Sequence, residues 1–166
     1  MLSEIPEILI VDASILFSFF KASSARREVL KKLPEHDCKL VSPNFVLDEL
    51  SNNKEDIIKF ARIDEAEFND VLSELNKELD VFKEEEYKEF LSEANKISPH
   101  GEEAKDDPYF ALALALNCAI WSDEEAFKHQ SKVKVFNTDE LRKLLEKPKK
   151  KSESKDKTED STSEDK

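Results

Sequence analysis

Glycine is almost absent from this sequence of 166 residues, in which Gly101 is the only one. Phosphate-cradling loops and dinucleotide-binding turns need several glycines, because their backbone bends sharply and approaches the phosphates closely. The sequence therefore excludes the common nucleotide-binding loops. No apolar stretch approaches the ~20 residues that a membrane-spanning helix needs, so we expect no membrane partner.

Cysteine is also scarce, and basic residues are outnumbered by acidic ones. Cys38 and Cys118 lie in or beside apolar runs, which favours buried free thiols in a reducing compartment over a disulfide. The first residues show no basic segment followed by an apolar run, and we therefore expect a cytoplasmic protein. The net charge of −12 disfavours long-range attraction of nucleic acid. A function on nucleic acid would need local basic patches or bound metal ions.

The segment 147–166 has no aliphatic or aromatic residue and consists mainly of Lys, Ser, Thr, Asp and Glu. Such a segment cannot bury apolar surface. We therefore predict one domain over residues 1–146, followed by a disordered charged tail over residues 147–166.

Short apolar runs alternate with helical patterns before the tail. The runs at 8–11 and 119–121 are typical of strands that are buried on both faces. This alternation predicts an α/β fold in three layers, an α/β/α sandwich with a parallel sheet of about four to five strands. The predicted strands are 7–12, 38–41, 80–82, 119–121 and 133–136, and the main predicted helices are 14–33, 44–51, 64–79, 84–97, 109–118 and 138–145.

Two acidic candidates follow the first half of this pattern. Asp12 comes directly after the first buried run, with Ser14 at the start of the next helix. Ligands of open α/β sheets bind beyond the carboxyl ends of the strands, which is where Asp12 would lie. Glu49 is four residues after Phe45 and shares its helix face. If Phe45 anchors that face, Glu49 points toward the protein, where a carboxylate needs a nearby cation.

The second half of the pattern supplies further acids. Asp106 and Asp107 precede Pro108 at the start of the apolar helix, where helix capping explains one of the two, most simply Asp107. Asp106 is then left without a structural role. Ser122, Asp123 and Glu124 end the second buried run, and at least one of them should face Asp12 if the two strands are neighbours.

Carboxylates from four separate segments would meet at the carboxyl edge of this sheet. Their natural partner is a hard divalent cation, Mg²⁺ or Mn²⁺. The chemistry that such a site favours is metal-assisted hydrolysis of a phosphodiester, in which the acids hold the metal and no protein nucleophile is required.

Four motifs in this order resemble those of PIN-domain ribonucleases, and the resemblance covers roughly residues 5–145. The motifs are Val11-Asp12-Ala13-Ser14, Pro43 with Leu47-Asp48-Glu49-Leu50, Asp106-Asp107-Pro108-Tyr109-Phe110-Ala111-Leu112-Ala113, and Trp121-Ser122-Asp123-Glu124 with Phe127. The resemblance implies an α/β/α sandwich and Mg²⁺- or Mn²⁺-dependent cleavage of single-stranded RNA. Because many prokaryotic members are toxins of toxin–antitoxin pairs and often dimerise, it also implies an antitoxin protein and a homodimer as partners.

Carried over to this chain, the resemblance assigns metal binding and catalysis to Asp12, Glu49 and Asp106. The fourth position differs, because the family usually has Asp where this chain has Glu124. Asp123 stands beside it and is an alternative metal ligand. Ser14 and Ser122 would support the acids.

Two protein classes that also carry Asp after the first strand do not match this sequence. A receiver domain would need a second acid at position 13, which is Ala, and a haloacid-dehalogenase-type phosphatase would need Asp at position 14, which is Ser. The remaining alternative is a PIN-like scaffold that binds RNA or protein without cutting, which the acidic composition and Glu124 favour. Basic residues that could contact phosphates are Arg26, Arg27, Lys31, Lys32, Lys128, Lys132 and Lys134.

Overall fold

The structure, a computed structural model, describes residues 4–99 and 105–147. Within these ranges five strands form one sheet in which every neighbouring pair is parallel. The order across the sheet is β3-β2-β1-β4-β5. The strands are β1 (Ile8–Val11), β2 (Lys39–Pro43), β3 (Leu79–Phe82), β4 (Ala119–Trp121) and β5 (Val135–Phe136).

Helices cover both faces of this sheet. They are α1 (Ala13–Phe19), α2 (Ala25–Lys32), α3 (Phe45–Asn52), α4 (Lys54–Ala61), α5 (Glu65–Glu78), α6 (Leu91–Ile97), α7 (Asp107–Leu116) and α8 (Thr138–Glu146). One apolar cluster joins the sheet to α1–α5 and α8, and a second joins the opposite face to α6 and α7. The predicted three-layer α/β/α sandwich with a parallel sheet is confirmed.

The central position of β1 determines where the acids meet. Its register pairs Ile10 with Val41 of β2 on one side and with Ile120 of β4 on the other. The side chains of β1 alternate between the two apolar clusters, so the strand is buried on both faces as its composition predicted. The chain therefore leaves β1 at Asp12 between the ends of two neighbouring strands.

Local hydrogen bonds explain why the predicted helix 14–33 is two helices. Ser24 accepts a hydrogen bond from the backbone N–H of Arg27 at 3.0 Å, which makes it the N-cap of α2. The hydroxyl of Ser24 also donates to the carbonyl of Ser18 at 2.8 Å, which fastens the turn between α1 and α2. Side-chain capping of this kind competes with continuation of the helix.

Two further differences concern the middle of the chain. The predicted helix 84–97 begins with short 3-10 turns and becomes α-helical only at Leu91. The helix α4 was not predicted. By contrast, the capping box of Asp64 and Glu67 at the start of α5 is confirmed, because each side chain accepts from the other residue's backbone N–H.

Both cysteines are free thiols, and burial raises the pKa of Cys38 and of Cys118 to about 12. No helix in the ranges 4–99 and 105–147 is long and apolar enough to cross a bilayer. Apart from Lys147, the tail that we predict to be disordered lies outside the described residues.

Candidate active site

Asp12 lies at the carboxyl end of β1, where its carboxylate accepts three hydrogen bonds from Ser14 and Ser122. It caps α1 by accepting the backbone N–H of Ser14 at 3.2 Å, and the hydroxyl of Ser14 donates to Oδ2 at 3.1 Å. The hydroxyl of Ser122 donates to the same oxygen at 2.8 Å from the end of β4. Only 7% of Asp12 is exposed, so its carboxylate has a defined orientation. The predicted support from Ser14 and Ser122 consists of these hydrogen bonds.

Glu49 reaches the same edge of the sheet from α3. Phe45 begins this helix and packs edge-on against Tyr109 of α7, with ring centroids 5.6 Å apart. Because residues four apart share a helix face, this contact places Glu49 on the side of α3 that faces α7. Phe45 is the anchor that the spacing predicted, but Glu49 is exposed to solvent and is not turned into the protein, since it lies in the last turn of a helix of only eight residues.

Asp106 immediately precedes α7, which starts at the carboxyl edge of the sheet, and it is 7% exposed. Its side chain does not cap the helix. Its position at the helix N-terminus nevertheless places the carboxylate in the positive field of the helix dipole.

Asp107 does not have the predicted role of helix cap. Asp107 is the first residue of α7 rather than its cap, and it is 5% exposed. Its carboxylate accepts a hydrogen bond from Asn95 Nδ2 at 2.8 Å and another from the hydroxyl of Ser98. Asp107 therefore fastens the end of α6 to the start of α7, because both donors belong to that neighbouring segment.

The charges of Asp12, Glu49 and Asp106 act on one another. Burial raises the pKa of Asp12, and the charge of Asp106 adds to this effect against the hydrogen bonds from Ser122 and Ser14. The pKa of Glu49 is also raised, first by burial and then by the charges of Asp12 and Asp106, while Lys105 acts in the opposite direction. The three acids thus converge on one electronegative region.

The fourth motif connects to this region through Ser122. Besides donating to Asp12, the Ser122 hydroxyl accepts the backbone N–H of Glu124 at 3.1 Å. Glu124 itself is exposed, at the rim of the region. The hydroxyl of Ser122 therefore links the position of the Glu124 backbone to that of the Asp12 carboxylate.

Asp123 has other partners. Its carboxylate accepts hydrogen bonds from the backbone N–H and the hydroxyl of Thr138, at 2.7 and 2.6 Å, and from Arg26 Nε at 2.6 Å. Although burial acts to raise it, these bonds hold the pKa of Asp123 below its ordinary value. The side chain joins β4 to α2 and α8.

The donor set fits a hard divalent cation that retains part of its water shell. Among the residues that the structure describes, no three His, Cys, Asp or Glu side chains are grouped closely enough to hold a metal ion on their own. Mg²⁺, however, is usually held by one or two carboxylates, with water and substrate phosphate completing its six positions. Asp12 and Asp106 can provide these carboxylates, because both are buried and their charges interact.

Tyr109 is a residue of this region that the sequence prediction did not single out. Its hydroxyl accepts the backbone N–H of Ala13 at 3.2 Å, and its ring is 3% exposed. The signal was present, because Tyr109 is a polar aromatic residue in an otherwise apolar helix, three residues after Asp106.

The model of the PIN domain family matches residues 10–158, which include all four acidic motifs. A search of curated proteins finds no match.

Proposed function

The chain belongs to the PIN-domain family, whose members are usually nucleases, and on that premise we propose that it is a metal-dependent endoribonuclease for single-stranded RNA. The observation that carries the proposal is the convergence of Asp12, Glu49 and Asp106. The charge of Asp106 acts to raise the pKa of Asp12, and the charges of Asp12 and Asp106 act to raise the pKa of Glu49. Carboxylates that repel one another at neutral pH favour a site that binds a cation.

The residues have separate tasks in this proposal. Asp12, Glu49 and Asp106 would hold Mg²⁺ or Mn²⁺, which when bound supplies an activated water and charge neutralisation at the scissile phosphate. Ser14 and Ser122 orient the Asp12 carboxylate through their hydrogen bonds. Glu124 would act as the fourth acid from the rim. We favour Glu124 over Asp123 because the carboxylate of Asp123 already forms an ion pair with Arg26 at 2.6 Å, whereas the hydrogen-bond donors to Asp12 are neutral.

A non-cutting scaffold that binds RNA or protein is the second candidate, and the ion pairs of the basic residues favour its protein-binding form. Several side chains that could contact phosphates already face acids. They are Arg26 with Asp123 at 2.6 Å, Lys128 with Glu140 at 2.6 Å, and Lys31 with Glu74 and Lys132 with Glu93, both at 3.9 Å. Phosphate contacts supply much of the affinity for nucleic acid, so these pairs weaken binding to RNA.

Cleavage assays separate the two candidates. Labelled single-stranded RNAs of varied sequence are incubated with Mn²⁺ and the wild type, Asp12→Asn or the control Asp48→Asn, which changes the exposed neighbour of Glu49. We expect cleavage by the wild type and by the control, and at least a hundredfold loss in Asp12→Asn. Cleavage that survives Asp12→Asn rejects the mechanism, and wild-type protein that cuts none of the RNAs favours the scaffold.

The proposed nuclease would act in the cytoplasm. Within this proposal, the first role to test is that of the toxin in a toxin–antitoxin pair. Induced expression should then arrest growth, and Asp12→Asn should relieve the arrest. Co-expression of a small adjacent gene that encodes an antitoxin protein should restore growth in cells that express the wild-type chain. Sedimentation of the purified chain tests the accompanying proposal of a homodimer.

A further inference from the structure

The hydroxyl of Tyr109 is buried at the centre of the acidic region without being an acid itself. Tyr109 lies on α7, and Phe45 packs edge-on against its ring. These contacts hold the ring in place, and the hydroxyl meets the chain where it leaves β1, at the N–H of Ala13.

The Ala13 N–H is one of the first amides of α1, which have no partner within their own helix. Tyr109 supplies that partner at 3.2 Å. Without the hydroxyl this N–H would lose its partner, so the bond contributes to the position of the turn that follows Asp12.

The hydrogen bond from Ala13 places the Tyr109 hydroxyl beside Asp12, because the two residues are adjacent in the chain. Burial raises the pKa of Tyr109 first, followed by the charges of Asp12 and Glu49, so the hydroxyl feels the charges of the acidic region. Tyr109 therefore connects α7 to the turn that carries Asp12.

We propose that Tyr109 is a positioning residue of the cation site, whose hydroxyl fixes the Asp12–Ala13 turn and with it the Asp12 carboxylate. The inference rests on the proposed function, because it assumes that Asp12 helps to hold a divalent cation. A neutral hydroxyl suits this task, because it adds no charge that would compete with the metal.

The chain provides a matched control for this inference. Tyr87 is the only other tyrosine, it is 3% exposed like Tyr109, and it belongs to the same apolar cluster. We expect Tyr109→Phe to weaken Mn²⁺ binding about tenfold in calorimetric titration, as removal of a group that orients a metal ligand typically does. Tyr87→Phe should bind with wild-type affinity. Wild-type affinity in a folded Tyr109→Phe would overturn the proposal.

A spectroscopic measurement keeps the test independent of the stability of Tyr109→Phe. In Tyr87→Phe, Tyr109 is the sole tyrosine, so ultraviolet resonance Raman bands of tyrosine report its hydroxyl alone. We expect Mg²⁺ to shift these bands, because a cation held by Asp12 would neutralise a charge that acts on the hydroxyl. Bands that stay unchanged at saturating Mg²⁺ would contradict a role of Tyr109 at the cation site.

Asp12→Asn separates this inference from the proposed function. If Mn²⁺ binds Asp12→Asn as tightly as the wild type, the proposed cation site is wrong. If Asp12→Asn loses binding while Tyr109→Phe keeps it, the site stands and only the role of Tyr109 is wrong.

Discussion

The hydroxyl of Ser122 donates a 2.8 Å hydrogen bond to Oδ2 of Asp12, joining residues that lie 110 positions apart in the chain. The bond exists because β1 and β4 are neighbouring parallel strands that end at the same level, with Val11 paired to Trp121. A fold that brings the ends of these strands together thus makes one site from two distant motifs.

Removing this hydroxyl should damage both the site and the fold. Ser122 is 1% exposed, and Ser122→Ala leaves the Asp12 carboxylate with one donor fewer. We expect the free energy of unfolding to fall by about 1.5–3 kcal/mol, the range for hydrogen bonds to charged groups, and cleavage to fall about tenfold. Urea denaturation and RNA cleavage measure the two effects. Ser73→Ala, at an exposed position of α5, is the control and should change neither.

Substitutions of Asp123 and Glu124 should affect different properties, the first the stability of the protein and the second its catalysis. Asp123→Asn breaks the bonds to Arg26 and Thr138 and should lower the free energy of unfolding by about 1–3 kcal/mol, with little change in Mn²⁺ affinity. Glu124→Gln changes an exposed side chain, so it should unfold like the wild type but cleave RNA more slowly. Urea denaturation with calorimetric Mn²⁺ titration tests the pair. The opposite pattern would make Asp123 the fourth acid.

Substitutions of the neighbouring acids Asp106 and Asp107 should have different effects, one on metal affinity and the other on stability. Asp107 is buried and accepts hydrogen bonds from Asn95 and Ser98, so Asp107→Asn should destabilise the protein by about 1–3 kcal/mol. Asp106→Asn should instead reduce Mn²⁺ affinity, since it removes one of the interacting charges. Thermal unfolding and metal titration of the two variants provide the comparison. Equal effects of both substitutions on metal affinity would contradict the assignment.

Metal binding should weaken in mild acid. The pKa values of Asp12 and Glu49 are raised above 3.8 and 4.5, so without metal these groups favour the folded state at low pH and lose that contribution as the pH rises through their raised pKa values. Bound metal needs them ionised. At a hundred times its dissociation constant, Mn²⁺ should add about 2.7 kcal/mol to the free energy of unfolding at about pH 7.

Unfolding in urea with and without a fixed Mn²⁺ concentration measures this increment. It should shrink as the pH is lowered to about pH 5, because protons compete with the metal for the carboxylates. Asp12→Asn is the control and should show little increment at either pH. An increment that is the same at both pH values in the wild type would contradict the carboxylate site.

The sequence predicts the layers of this fold well, because each buried strand is a compact apolar run. It also predicts the capping box at Asp64, which is a purely local pattern. It fails where a local hydrogen bond ends a helix within an amphipathic stretch, as Ser24 does between α1 and α2. Helix periodicity continues through such a cap, so the pattern alone cannot locate it.

The candidate site also has parts that local patterns predict and parts that they do not. The placement of Asp12, Glu49 and Asp106 at one edge of the sheet is predictable because strand ends and helix faces follow from periodicity, while their role as metal ligands stays a prediction. The partners of Asp123 and Asp107 are not, since Thr138 and Asn95 reach them only in the folded chain. Tyr109 belongs to this second group, because its role depends on the Ala13 amide of another element.

Calorimetric titration of the purified chain with Mn²⁺, alongside Asp12→Asn and the control Asp48→Asn, tests the central claim most directly. We predict saturable binding in the wild type and in the control, and a loss of at least tenfold in affinity in Asp12→Asn. Binding to Asp12→Asn with wild-type affinity would contradict the claim that these acids form a cation site.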